Sequence, residues 1–449
     1  MALPATTVWE IRTDGNAANG GGFSSARAGT DYSQQAAAQL SLTDLACASN
    51  TTLTSATGGF TTAMLGNIVC IASGTNALAG WYEITAYTNT NTVTIDRTCA
   101  TGGNMTSGVG KVGGALNNIG TLGLALSTAD QSVAGMKAYI RGGTYSLTGT
   151  TVNVDGGPLD LDASQQDSKG FYLKGYATDA ATRDAFTGTR PVIACNGNAP
   201  ASVIELKGTI AAEHQVAFID IDGGSTSTTY GILGNNTLYD LAVECIVRDV
   251  DGTTAYQAVR CSRCFASSCA ATGFSGSNYR SCVASSCEVG FSVNQTATDC
   301  IACNCSGDGF FGYAYDAINC VSYNSGGDGF DLQRGSSATN CISLSDGGYA
   351  FNNADVYVTL LNCASDGAAS GRTKSPAPLI DLNPITLTGD PFTNAASLDF
   401  SLDTTAGEGA ACRAAGISPY GQTGYLDIGA VQHADPAGGG GGGAKIIGG

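Results

Sequence analysis

Between Tyr139 and Cys363 the apolar residues form neither a helical stripe nor long uniform runs. They come in short clusters such as Cys282–Cys287, separated by Gly, Asn and Asp, which predicts short strands and turns. The clusters hold register on one cysteine column: Cys245, Cys264, Cys282, Cys300, Cys320, Cys341 and Cys363, at steps of 19, 18, 18, 20, 21 and 22 residues. Three further columns travel with it. The next residue is apolar or small (Ile246, Phe265, Val283, Ile301, Val321, Ile342, Ala364). Five residues on stand Val250, Cys269, Cys287, Cys305 and Ser325. Nine or ten on come Phe274, Phe291, Phe310 and Phe330, each after a Gly, with Tyr349 or Phe351 filling that place in the next coil. A period near twenty implies one supersecondary unit per repeat, stacked so that neighbours share a core. Like residues then form ladders at the strand spacing of about 4.8 Å. The fold class expected is an all-β parallel β-helix solenoid. Leucine-rich repeats have a similar length but require a Leu pattern that is absent.

Residues 1–114 lack the ladder. Tyr82, Ile84 and Ala86 alternate with Glu83 and Thr85, and Val93 and Ile95 with Thr92 and Thr94, around Thr88-Asn89-Thr90-Asn91. This predicts a β-hairpin within a small N-terminal β domain spanning 1–114. The solenoid is expected over 115–395, a closing segment over 396–435 and a Gly-rich tail over 436–449.

The repeats resemble the right-handed parallel β-helix (pectate-lyase-like) superfamily over roughly residues 115–430. The entry is similar: Thr121–Leu126 as a short helix, then Ala138–Tyr145, with Lys174-Gly175-Tyr176 and Phe218–Gly223 as early coils. Asp399–Leu402 followed by Asp427–Ala430 is similar to the closing segment of bacterial and phage members. The opening, Thr7–Arg12 through Gly20–Phe23 and Asp31–Gln35, resembles the heads of β-helix proteins of environmental phages. In phage fibres and spikes such a domain often attaches to the particle, so the resemblance implies an attachment role.

Composition narrows the partners. Charged residues are only 13% of the 449, with 63 Gly and no G-X-Y period, so Ser, Thr, Asn and Gly must build the surface. The net charge of −17, with no cluster of Lys or Arg, argues against nucleic acid and anionic membranes. No apolar stretch of about eighteen residues is present to span a bilayer. The start, Met1–Glu10, has no basic region followed by an apolar one, so no secretory signal is expected. The seventeen cysteines are an odd number. Stacked rungs hold Cβ atoms about 4.8 Å apart, whereas a disulfide needs about 3.8 Å, so the ladder is expected to be reduced.

Candidate chemistry rests on Asp308 and Asp328, each in a Gly-Asp-Gly-Phe turn eight residues after its ladder cysteine, with Asp331 nearby. Stacked one rung apart, about 5 Å, the first two approach the spacing of a retaining glycosidase pair and could bind Ca²⁺. Asp-Gly is also favourable turn chemistry, and a repeating turn repeats it. The family's enzymes point away from catalysis here. Polygalacturonases carry Gly-His-Gly and Asp-Asp, whereas His214 and His433 lie in no such motif, and Arg334 alone does not make a lyase. Glu244 and Glu288 are the few glutamates of the coils. Cys261 and Cys264, or Cys303 and Cys305, have zinc-like spacings, but Cys264 and Cys305 are already members of columns. Trp9 and Trp81 could touch sugars but fit a β core as well.

The expectation is a virion structural protein (fibre, spike or capsid decoration), made in the host cytoplasm and exposed on the particle, with no cofactor and no metal. Its partners would be other virion proteins and copies of itself, through the N-terminal domain and the tail with Ile446-Ile447, with a host surface glycan as a further candidate. Two alternatives stand: a tailspike-type polysaccharide depolymerase (glycoside hydrolase or polysaccharide lyase) using Asp308, Asp328 and Asp331, and a bacterial surface adhesin, which would need an export route.

Overall fold

The computed structural model describes residues 3–4, 6–128, 136–147, 159–160, 171–177, 186–206, 214–226, 228–234, 240–353, 357–366, 371, 373–374, 379–403, 408–413, 415–418 and 426–432. The tail, with Ile446-Ile447, and His433 lie outside the described residues. The chain is a parallel β-helix with a small antiparallel barrel near its start, wound in the right-handed sense that parallel crossovers take. It divides into two compact units, Met1–Asp222 and Gly223–Gly449.

In the first unit, strand β1 (Thr7–Ile11) pairs antiparallel with β2 (Gly22–Ser24). Six strands follow: β3 (Leu40–Cys47), β4 (Thr52–Ser55), β5 (Ile68–Thr75), β6 (Gly80–Asn89), β7 (Thr92–Ile95) and β8 (Met105–Val112). They close a barrel in the order β3-β4-β7-β6-β5-β8, filled by Leu45, Leu53, Val69, Ile71, Tyr82, Ile84, Val93 and Met105. The β6–β7 hairpin turns at Thr90-Asn91. Helix α1 (Ile119–Thr128) is N-capped by Asn118, whose Oδ1 accepts the Thr121 N–H at 2.8 Å. Its Leu122, Ala125 and Leu126 are buried.

The stack proper includes an earlier strand than the sequence implies. β1 pairs in parallel with β9 (Met136–Arg141), Trp9 opposite Ala138 and Ile11 opposite Ile140. β1 stands as the first rung, β2 covers its outer edge, and the barrel is an insertion between rungs. A covered edge suits the end of a solenoid, where bare strands would otherwise recruit other chains.

In the second unit a coil has three strands, except that after Cys264 and Cys282 the second and third run together as Thr272–Arg280 and Val289–Thr298. The first follows the ladder cysteine (Phe265–Ser267, Val283–Ser285, Ile301–Cys303, Val321–Tyr323, Ile342–Leu344, Ala364–Ser365), each parallel to the next. The second carries the Phe column (Phe310–Tyr313, Phe330–Gln333, Phe351–Asn353). The third precedes the next cysteine (Asp316–Ile318, Ser337–Thr339, Val358–Leu361). Left-handed residues turn the corners: Ser281, Asp299, Asn319, Asn340 and Asn362 just before the cysteine, and Ser268, Ser286, Asn304, Asn324 and Ser345 four residues after it. Small polar side chains tolerate that backbone best.

Inside, all seven ladder cysteines are buried and every cysteine of the chain is a free thiol. The aromatic column stacks nearly parallel from Tyr256 through Phe274, Phe291, Phe310 and Phe330 to Phe351, with centroid spacings of 4.7, 4.8, 4.8, 4.7 and 5.2 Å. Outside, Val283, Ile301, Val321, Ile342 and Ala364 point away from the solenoid core yet are buried. The chain turns back after the last coil and lays Leu387, Phe392, Phe400, Leu402, Cys412, Ile428 and Ala430 over them. This fold-back includes residues from Leu387 onward.

Candidate functional site

The Gly-Asp-Gly-Phe turns bring Asp308 and Asp328 to adjacent rungs. Asp308 Oδ1 accepts the Asp328 N–H at 2.8 Å, and Asp328 Oδ1 accepts the Tyr349 N–H at 2.6 Å. Asp328 Oδ2 also takes the Asn352 Nδ2–H at 2.7 Å. Each carboxylate thus holds the turn of the following coil. Burial pushes the Asp308 acid above the ordinary carboxylate range, against the Asp328 N–H, which pulls it down. Asp331 lies on the strand Phe330–Gln333, where it pairs in register with Phe311 and Asn352 and accepts from Gln333 Nε2 at 2.9 Å.

The glycines of these turns have a steric reason. A Cβ at Gly309 would lie 2.3 Å from Ser322 Oγ, and one at Gly329 2.2 Å from Ser343 Oγ and 2.4 Å from Asp346 Oδ2. Their absence leaves room for a buried polar cluster. Asp346 Oδ1 accepts from Ser322 Oγ (3.1 Å) and the Ser325 N–H (2.8 Å), while Oδ2 accepts from Ser343 Oγ (2.5 Å). Asp346 stands five residues after Cys341, continuing the column Cys269, Cys287, Cys305, Ser325. The acid was legible in the sequence as the next member of that column after Ser325.

A second polar ladder escaped sequence reasoning. Asn319 donates to Asp299 (3.0 Å), Asn340 to Asn319 (3.1 Å) and Asn362 to Asn340 (3.4 Å). Its outer face seats the fold-back: Asn340 Nδ2 donates to the Ile417 carbonyl at 2.7 Å, and Asn340 Oδ1 accepts the Ile417 N–H at 3.0 Å. The signal was present as Asn or Asp immediately before the ladder cysteine from Asp299 onward.

The remaining candidates are structural in their surroundings. Cys261, Cys264, Cys303 and Cys305 are buried, and among the described residues no group of three or more His, Cys, Asp or Glu is placed to hold a metal ion. Burial pushes the Cys300 and Cys341 thiols well above their ordinary value. Trp9 and Trp81 are buried, and Trp81 Nε1 donates to the Asn19 carbonyl at 3.0 Å. His214 is buried, and its Nδ1 accepts the Phe171 N–H at 3.3 Å. One shallow groove of about 320 Å³ follows a corner of the coils, lined by Asp251, Ser268, Ser286, Glu288, Asn304 and Ser306. Its hydroxyl, amide and carboxylate groups suit hydrogen bonding to a polar ligand.

No family model matches the chain, and no curated protein matches it. Among solved structures it is similar to a rhamnogalacturonan lyase (14% identity, 56% of this chain and 69% of that one, TM-score 0.34). It is also similar to the ORF18 protein of Geobacillus virus E2 (12% identity, 60% of this chain, TM-score 0.32), of which it spans 57%. A third is WceF of Pantoea stewartii, described as a glycan biofilm modifying enzyme with a bacteriophage tailspike-like parallel β-helix fold (11% identity, 70% of this chain and 44% of that one, TM-score 0.28). Likeness at this level bears on no residue's role.

Proposed function

We propose that this chain is a structural β-helix protein borne on the outside of a phage particle, as a fibre, spike or capsid decoration. The observation that carries the reading is the use made of the repeated acidic turns. Asp308 and Asp328, the groups most like a catalytic pair, are spent on holding successive coils together through backbone N–H groups. The acidic, Lys-poor surface suits a body facing solvent better than one lining DNA. The barrel, inserted between the first two rungs and fixed to β1's neighbourhood through Trp81 and Asn19, is a ready attachment module.

The test is mass spectrometry of purified particles together with immunogold labelling of intact ones. The chain should be present in fixed stoichiometry and its coils should label from outside. A protein found in the infected cell but missing from particles overturns the reading.

A further inference from the structure

The inward column that runs Cys269, Cys287, Cys305 changes character toward the end of the solenoid, first to Ser325 and then to Asp346. A carboxyl group therefore stands in the core where earlier coils place a thiol, and Asp346 is 1% exposed. Among the described residues its two oxygens meet small donors: the hydroxyls of Ser322 and Ser343 and the N–H of Ser325. Ser322 and Ser325 also lie 3.1 Å apart, oxygen to oxygen. Among the described residues, the titratable groups that face the cluster do not offset a negative charge. The Cys305 thiol of the preceding coils is itself pushed up by burial, and Asp366 of the next coil, whose Oδ2 accepts the Ser345 N–H at 2.9 Å, adds like charge.

Position gives this group leverage. Ser322 and Ser343 are the inward middle residues of Val321–Tyr323 and Ile342–Leu344. The flanking residues of the same strands, Val321, Ile342 and Leu344, form the outer seat of the C-terminal fold-back, with Tyr323 set against Phe392 and Phe400. Whatever loosens or tightens these two rungs acts on the seat directly, because coils in a solenoid are stabilised by their immediate neighbours.

We propose that the Asp346 cluster is a proton-operated clamp in the solenoid core, which tightens on acidification the coils that hold the C-terminal fold-back. This goes beyond the particle-surface reading and does not depend on it. Ionised, the buried carboxylate keeps its three donors but carries the cost of desolvation. Protonated, it is neutral, and the hydroxyls of Ser322 and Ser343 can turn to accept as well as donate. Burial pushes Asp346 up to about 6, from 3.8. A folded value above the unfolded one means that the native state holds the proton more tightly, so stability rises as pH falls through 6 toward 4 and is lower by a constant amount above 6.

The experiment is hydrogen exchange at pH 5 and pH 7, corrected for intrinsic rates, on the full chain and on Asp346→Asn. In the wild type, amides of Val321–Tyr323, Ile342–Leu344 and Phe400–Leu402 should be about tenfold better protected at pH 5, each pKa unit passed being tenfold. In Asp346→Asn that difference should vanish, while Asp366→Asn should retain most of it. Should Asp346→Asn fail to fold, Asp346→Ser, the residue of the preceding rung, gives the same readout. A wild type without the pH difference, or a difference that survives removal of Asp346, overturns the clamp. So does a carboxyl carbon titration placing Asp346 near 4.

Discussion

At the scale of single residues, the chain uses few charges and gives several of those in the coils a partner in the next rung. Asp308 and Asp328 accept backbone N–H groups, Asp299 begins an amide ladder, and Arg263 pairs with Glu244 at 2.8 Å. The thiols are the counterpart in the core, small apolar groups with a weak donor. Ladder members such as Cys300 and Cys320 donate to the carbonyl two residues earlier, at 3.3 and 3.4 Å. Burial pushes Cys70 and Cys412 up to about 12 and Cys303 to about 11, and every thiol of the chain is buried out of reach of a reagent, so the native thiols should be nearly inert to alkylation at neutral pH. Titration with a thiol reagent should find all seventeen in denaturant without reductant and almost none in the native protein. One or two in denaturant would mean disulfides and a different packing of the column.

At the scale of elements, the three-stranded coil is the unit, and its stability lies in stacking. Phe310 is enclosed above and below by Phe291 and Phe330, ring on ring. Phe310→Ala should cost about 3–5 kcal/mol in denaturant unfolding, the range for a buried aromatic truncated to a cavity. Phe310→Leu should recover much of it. A cost below about 1 kcal/mol would say that the column is not packed as described. The coil was legible in the sequence because its columns repeat: one cysteine, one apolar neighbour and one Gly-Phe pair recur at nearly constant spacing. What covers the apolar neighbours was not legible. Ile301, Val321 and Ile342 read as a buried column, but their cover comes from Phe392, Phe400 and Ile428, which share no repeat with them. The pairing of β1 with β9 was hidden for a similar reason, since the whole barrel lies between the two strands in sequence. The acid site was half legible: the Asp-Gly spacing located Asp308 and Asp328, but only the register of backbone groups shows that their oxygens are engaged.

At the scale of the molecule, the first unit has a covered edge and an inserted barrel, and the second has coils with a folded-back closing segment. The last rung carries edge-blunting features. Leu379–Leu382 lies between Pro378 and Pro384 in sequence and sets Asp381 opposite the buried Leu360, devices that discourage edge-to-edge growth. The central claim is that the acidic turns are braces between coils. The most direct measurement is denaturant unfolding of Asp328→Asn beside the wild type, with polysaccharide cleavage assayed on the same samples. Asn keeps an acceptor for the Tyr349 N–H but sets one amide donor against another at Asn352, so stability should fall by about 1–3 kcal/mol with no cleavage activity to lose. Unchanged stability together with the loss of a cleavage activity present in the wild type would contradict the account.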